Sequence, residues 1–285
     1  MKIAFISRYG IFTGAGGIGR WVYEVAIRLS KLHKVNVIIS NEYLPNPWPI
    51  IDGVKLSWLP SLHYAFPKPR HFGLLMDAFF EHDIVYFVYW GVGLKLMMPL
   101  LQKISGTPVI AGHHNGVSKS ELPFFGPEMI RLGKILSAHH VLNTRDYKQL
   151  VSFRCKNIFN IPNGVDSAYF KPAKKNENFD VLFMGRLVEG KGADLLPTIA
   201  LKLVSKHIQI VVCGTGPLES LIKKCNMIKF LGFVDEHLKR ELYAKSHVLI
   251  APSRYETFML TGLEAMASGT PVVTFDIPGP REYVV

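Results

Sequence analysis

The chain has 285 residues, 48% of them hydrophobic and 19% charged, with 33 Lys+Arg against 22 Asp+Glu. At about 150 residues per domain this length suggests two domains, and the hydrophobic content excludes a disordered chain. Three cysteines, Cys155, Cys213 and Cys225, show no CxxC spacing, which argues against a disulfide framework or a zinc site and fits a reducing cytoplasm.

The opening MKIAFIS enters a strand directly, so no secretory leader is expected. Lys2–Ser7 reads as a buried strand, and 18–32 has helical spacing in Trp21, Val22, Val25, Ala26 and Leu29. Strands are predicted at 35–40, 54–59, 84–90, 109–111, 139–142 and 158–161. Helices are predicted near 71–81, 92–105, 126–136 and 144–151. The longest apolar stretch, 84–94, ends at Lys95, well short of the ~20 residues of a spanning helix. After Asn163-Gly164 and a lysine-rich stretch the pattern restarts. Strands are then predicted at 181–184, 208–213, 228–230, 248–251 and 271–275, and helices at 192–205, 217–224, 235–245 and 258–268. Near-continuous apolar strands alternating with helices predict an α/β fold with parallel sheets covered on both faces. Two such series give two Rossmann-like domains, 1–166 and 167–285.

The charge is uneven. Residues 1–165 carry 18 Lys+Arg and 9 Asp+Glu, a net +9, whereas 166–285 carry 15 and 13, a net +2. The first domain therefore leans toward a polyanionic or membrane-surface partner, unless the whole proteome is basic.

Gly14-x-Gly16-x-x-Gly19 lies between the first strand and the first helix, with Glu42 after the second strand. Formally this is the dinucleotide fingerprint, so an NAD-dependent Rossmann enzyme is one reading. Six residues separate the strand from Gly14, however, and the fingerprint places its first glycine tightly after the strand. A glycine loop opening a helix binds any anion through free N–H groups and the helix dipole. A plain helix-start turn is the third reading.

Three further features stand in the second half. Gly185-Arg186-Leu187-Val188-Glu189-Gly190-Lys191-Gly192 follows a strand and precedes a helix. Arg186 offers a fork for phosphate and Lys191 a point charge; the alternative is a surface ion pair with Glu189. Gly214-Thr215-Gly216-Pro217 is a glycine turn at a strand end, where ligands of open α/β sheets bind. Glu256 and Glu264 form an E-x7-E pair. Alone, such a pair reads as a solvated helix face, but Ala-Met-Ala-Ser-Gly after Glu264 reads as a buried helix end.

With GGIGR (16–20), PNGVD (162–166), GRLVEGKG (185–192), GTGPLE (214–219), FLGFV (230–234) and PSRYETFMLTGLEAMASGTPVV (252–273) in this order, the chain resembles a GT-B retaining glycosyltransferase of the family 4, group 1 type. The resemblance spans nearly the whole chain. It implies two Rossmann-like domains whose parallel sheets face a central cleft, and a nucleotide-diphosphate sugar bound mostly on the C-terminal one. Arg186 and Lys191 would hold the diphosphate and stabilise its growing charge. Gly16 and Gly17 would close onto the same phosphate. Glu264 would take the ribose hydroxyls, and the Lys229–Phe233 turn, with Phe233, would flank the base. Gly214, Gly216, Phe258, Met259 and Leu260 complete the donor-binding set. Glu256 would face the transferred sugar, and His114, or its neighbour His113, would approach it, the alternative for either histidine being a hydrogen-bonded strand-end residue. The implied reaction is metal-independent hexosyl transfer, with no metal ligands and no cofactor, the nucleotide sugar being a substrate. Retention would use the leaving diphosphate to help the acceptor hydroxyl, with Glu256 as a covalent nucleophile less favoured.

Two departures matter. The family's Glu-Gly-Phe-Gly-Leu is Glu256-Thr257-Phe258-Met259-Leu260 here, and neither Thr257 nor Met259 is expected to take positive φ. The second domain also looks shortened at Val285, so its sheet would expose apolar surface unless a partner or an oligomer covers it. These departures motivate the alternative of a non-catalytic GT-B nucleotide-sugar-binding subunit or pseudo-enzyme. A sugar-nucleotide epimerase is a near neighbour on the same fold. In the basic first domain, the apolar-basic stretches 64–72 and 122–131 suit an anionic membrane surface, the alternative being ordinary core and loop aromatics. The expected acceptor is lipid-linked or an envelope glycan, with no nucleic-acid partner, and the expected location is the cytoplasm, peripheral at the inner membrane face.

Overall fold

A computed structural model of the chain describes residues 1–7, 16–40, 51–60, 68–88, 92–117, 135–175 and 180–284. The chain divides into two units, Met1–Pro162 and Asn163–Val285, where the sequence places the division after Asp166. Val165 packs against the second unit's core, which carries 163–166 to that side.

The first unit is a seven-stranded parallel sheet. Its elements are β1 (Lys2–Ser7), α1 (Gly16–Leu29), β2 (Lys34–Ile39), β3 (Val54–Trp58), α2 (Phe72–Phe80), β4 (Ile84–Phe87), α3 (Val92–Ser105), β5 (Val109–Gly112), β6 (Ala138–Val141), α4 (Thr144–Ser152) and β7 (Ile158–Asn160). The strand order is β3-β2-β1-β4-β5-β6-β7. Side chains of β1 alternate between two cores: Ile3 and Phe5 join Val22, Ala26 and Val37, while Ala4 and Ile6 join Leu75, Phe79, Val85 and Phe87. A strand buried on both faces has no polar side, which is why KIAFIS reads as one apolar run. Each buried Val, Leu, Ile or Phe among these contributes about 1.5–3 kcal/mol. Asn143 caps α4 by accepting a hydrogen bond from Asp146 N at 2.8 Å.

The second unit has β8 (Asp180–Met184), α5 (Leu196–Val204), β9 (Gln209–Cys213), α6 (Glu219–Lys223), β10 (Ile228–Gly232), α7 (Glu236–Lys245), β11 (Val248–Ala251), α8 (Leu260–Ala267) and β12 (Val272–Thr274). Its five parallel strands run β10-β9-β8-β11-β12. Val181 and Phe183 point into one core, and Leu182 into the other.

Several elements differ from the sequence reading. The helix expected from 192 starts as two 3-10 turns, Glu189–Lys191 and Ala193–Leu195, on either side of Gly192 at φ 71°; α5 follows with Pro197 in its first turn. Lys229 is not in a turn. It lies in β10, paired with Val211 of β9, because Ile228 and Phe230 pack into the core on β9. Strand β4 ends at Phe87. Gly14, Glu42 and the stretch 122–131 lie outside the described residues, as do most of the predicted 126–136 helix and residues 64–67 of the other apolar-basic stretch. No helix among the described residues is long and apolar enough to cross a membrane.

Candidate functional site

In an open parallel sheet, ligands bind outside the strand C-termini where the strand order reverses. In the second unit that point lies between β8 and β11, which are hydrogen-bonded neighbours. A small recess of about 40 Å³ opens there, lined by Met184, Gly185, Lys191, Ser253, Glu256 and Thr261 among others. A larger open concavity around Met1, Lys34, Phe80 and Asp83 lies at the opposite, N-terminal ends of the first unit's strands.

Lys191 and Glu256, 65 residues apart in sequence, meet at this recess. Lys191 Nζ lies 2.5 Å from Glu256 Oε1, and Ser253 Oγ donates to the same oxygen at 2.9 Å. Glu256 is 7% exposed. A carboxylate so buried requires a cation and hydrogen bonds, and Lys191 and Ser253 supply them. The surface ion pair of Lys191 with Glu189 does not form; Glu256 takes its place. Arg186, next in sequence to the lining residue Gly185, is exposed. The loop carrying Glu256 is tied to the loop carrying Lys191 by Arg254, which donates to both carboxylate oxygens of Asp194 at 2.7 Å, and by Arg254 N to Gly190 O at 3.0 Å.

Gly214 and Gly216 serve the packing of these turns. A Cβ at Gly214, where φ is 130°, would lie 1.8 Å from Gly185 O. The Gly185-Arg186-Leu187 backbone can sit on the Gly214-Thr215-Gly216 turn only because that atom is missing. Leu187 N then donates to Thr215 O at 2.8 Å. Phe233, just past β10, is 63% exposed.

Glu264 lies on α8 and is 6% exposed. Lys239 of α7 reaches it at 3.3 Å and also holds Glu236 at 2.9 Å. Burial pushes the Glu264 carboxyl above its ordinary pKa, and the Lys239 charge opposes this. The structure therefore makes Glu256 and Glu264 two buried carboxylates, each with its own lysine. Neither decorates a solvated helix face.

Met259 corrects the expectation about positive φ. It sits at φ 67°, ψ 74°, immediately before α8, and is buried. Tyr283 Oη donates to Met259 O at 2.5 Å, and the Tyr283 ring packs on Phe258 with centroids 5.1 Å apart. A Cβ at Gly262 would meet Met259 Cε at 2.5 Å and Tyr283 Oη at 2.6 Å. Contacts from residues distant in sequence thus hold a conformation that costs a non-glycine residue free energy. Phe258 is buried and Leu260 half-buried.

In the first unit, Gly16 opens α1 at φ 73°, and Gly16 and Gly17 are exposed. His113 and His114 follow β5, and both are buried. His113 Nε2 lies 3.1 Å from His139 Nδ1. His114 packs under Trp21, with ring centroids 4.2 Å apart, and its Nε2 lies 3.3 Å from Tyr86 Oη. Burial, with a smaller contribution from His140, pushes the His114 pKa down to about 3, so it is neutral at any physiological pH. Among the described residues no three His, Cys, Asp or Glu side chains gather as a metal site.

Sequence reasoning missed Ser253, Lys239, Tyr283 and Tyr86 as partners of the singled-out residues. Ser253 lies inside the PSRYE segment and had a local signal. Lys239 and Tyr283 are 25 and 24 residues from the groups they hold, so no spacing rule could pair them.

The comparisons with known proteins concern the family and the fold. Residues 15–169 match the family described as Glycosyltransferase Family 4, and residues 178–285 match Glycosyl transferases group 1. A phosphatidyl-myo-inositol mannosyltransferase of Mycolicibacterium smegmatis is 31% identical over 305 residues, covering 100% of this chain and 78% of that protein. An uncharacterized glycosyltransferase of Methanocaldococcus jannaschii is 34% identical over 112 residues, which cover 36% of this chain and only 29% of that protein. The Anabaena protein HepE, solved with UDP and glucose, superposes with a TM-score of 0.78 at 17% identity, covering 100% of this chain and 83% of HepE; at that identity the likeness concerns the fold. Two parallel-sheet Rossmann-like units with these motifs at their strand ends make the chain a GT-B member of glycosyltransferase family 4.

Proposed function

We propose that the protein is a retaining, metal-independent glycosyltransferase. It moves a hexose-type sugar from a nucleotide-diphosphate sugar to a lipid-linked or envelope-glycan acceptor. The observation that carries this reading is the Lys191–Glu256–Ser253 cluster at the β8/β11 switch point, a cation and a buried carboxylate where such folds take ligands.

In the free protein Lys191 and Glu256 neutralise one another. When donor binds, Lys191 and the exposed Arg186 turn their charge to the diphosphate. The bond between the anomeric carbon and the diphosphate oxygen breaks with its electron pair leaving on the diphosphate. Lys191 and Arg186 stabilise that charge as it forms. Glu256 faces the electron-poor sugar carbon. The acceptor oxygen bonds to that carbon on the face the diphosphate leaves, and its proton passes to a diphosphate oxygen. Glu264 accepts hydrogen bonds from the ribose hydroxyls. A neutral His114 is suited to hydrogen-bonding a sugar hydroxyl rather than to donating a proton as imidazolium.

The name of the mycolicibacterial relative, a transferase onto phosphatidyl-myo-inositol, supports a lipid-linked acceptor. So does the net +9 of residues 1–165. The protein would then work in the cytoplasm at the inner membrane face. Incubation with a panel of UDP- and GDP-sugars tests the reaction: release of nucleoside diphosphate with transfer at retained anomeric configuration is expected. Binding without transfer would favour a non-catalytic subunit. NADH binding in a fluorescence titration would favour the dinucleotide reading. Flotation with acidic liposomes tests the membrane: salt-sensitive binding is expected, and its absence overturns that part.

A further inference from the structure

His114 belongs to a hydrogen-bonded chain whose direction the structure determines. His140 of β6 places Nε2 2.7 Å from Ile161 O. A carbonyl oxygen only accepts, so His140 Nε2 carries a proton. His140 is buried among the Trp21, Tyr86 and His114 rings with no carboxylate against it among the described residues, and burial pushes its pKa down; a charged ring there would have no counter-ion, so the ring is neutral and its Nδ1 is a lone pair. Tyr86 Oη contacts that Nδ1 and must donate its single proton there. Tyr86 Oη also contacts His114 Nε2 at 3.3 Å. With its proton already given, the phenol can only accept, so the proton of this contact sits on His114 Nε2.

We propose that Tyr86, His140 and Gly112 are positioning residues that fix His114 as a neutral imidazole protonated on Nε2, leaving Nδ1 as a hydrogen-bond acceptor for a hydroxyl group. Trp21 covers the His114 ring. Gly112 leaves the space in which the phenol sits: a Cβ there would lie 2.7 Å from Tyr86 Cε1, 2.8 Å from Tyr86 Oη and 3.0 Å from His114 Cδ2. The chain is anchored on a backbone carbonyl, which cannot reverse its role. That the hydroxyl belongs to a sugar rests on the functional reading above; the tautomer does not.

Long-range ¹H–¹⁵N spectra of the ¹⁵N-histidine-labelled protein test the proposal, with the His114 signals assigned by their loss in His114→Gln. The expected pattern from pH 5.5 to 8 is a neutral Nε2–H form for both His114 and His140. In Tyr86→Phe, His114 loses its fixed tautomer and shows exchange between the two neutral forms, while the amide spectrum stays that of a folded protein. Gly112→Ala, which displaces the phenol, gives the same His114 signature. An Nδ1–H form of His114 in the wild type, an imidazolium at pH 6.5, or an unchanged His114 pattern in a folded Tyr86→Phe each overturns the proposal. The expected tautomer in a protein that neither binds nor turns over UDP-glucose, GDP-mannose or any other panel donor would count against the functional reading instead.

Discussion

Replacing Met259 by glycine and by alanine isolates the backbone free energy held before α8. Both substitutions remove the buried Met259 side chain, which is 5% exposed, and both open a comparable cavity. Truncating a buried methionine to alanine costs about 2–5 kcal/mol. At an ordinary position glycine is worse than alanine by a further ~0.5–1 kcal/mol, because the unfolded chain gains freedom. At φ 67°, however, alanine keeps a Cβ penalty of about 1–2 kcal/mol that glycine lacks. The usual order is therefore reversed: Met259→Gly is expected to be more stable than Met259→Ala by roughly 0.5–1 kcal/mol. Urea titration followed by circular dichroism reads this as a higher midpoint for the glycine variant. Repeating the pair in Tyr283→Phe, which removes the hydroxyl donated to Met259 O, should destabilise the alanine variant more than the glycine one. A glycine variant less stable than alanine by the ordinary amount would refute the reasoning, since the left-handed backbone would then not be native.

Lys191→Ala and Glu264→Ala are each expected to abolish donor turnover, and full activity in both would remove the assignment. Glu264 also sets a pH dependence. Burial raises its folded pKa above the ordinary 4.5, so the folded state holds that proton more tightly than the unfolded one. The stability this contributes is present below about pH 4.5 and is lost as pH rises through the folded pKa. Glu264→Gln should thus gain stability relative to wild type between pH 4 and 7 while losing donor affinity; denaturation midpoints that diverge the other way would contradict this. Gly214→Ala places a Cβ 1.8 Å from Gly185 O and should cost on the order of 2–5 kcal/mol from overpacking and backbone strain. Gly164→Ala, with nothing within 4 Å, serves as the near-neutral control in the same melts.

The parallel architecture was legible because its strands are buried on both faces. KIAFIS and VLFM admit no polar side, and the alternation of such runs with helical spacing leaves few topologies. Lys191 and Glu256 were legible as donor-site candidates through their motifs, yet their mutual ion pair was not. Glu189 is nearer in sequence and was the obvious partner, but only Glu256 is buried and must have a cation. Met259 shows the opposite failure. Residue type argued against positive φ, and local rules omit the Tyr283 hydroxyl and the Gly262 gap that hold it there. His114 had a strand-end signal. The chain through Tyr86 and His140 to Ile161 had none, since it crosses strands that are adjacent only in the folded sheet. The Lys229 turn was misread because its flanking Ile228 and Phe230 belong to the β9 core.

The most direct test of the account is calorimetric titration of the protein with UDP, UMP, GDP and GMP. One base is expected to bind, and its diphosphate should bind at least ~10-fold more tightly than its monophosphate, the worth of a charge-assisted phosphate contact of about 1.5–3 kcal/mol. Lys191→Ala should weaken that preference, with Arg186 supplying what remains, while leaving the monophosphate nearly unaffected. A wild-type protein that binds none of the four, or a diphosphate preference undiminished in Lys191→Ala, would contradict the placement of the donor at the β8/β11 switch point.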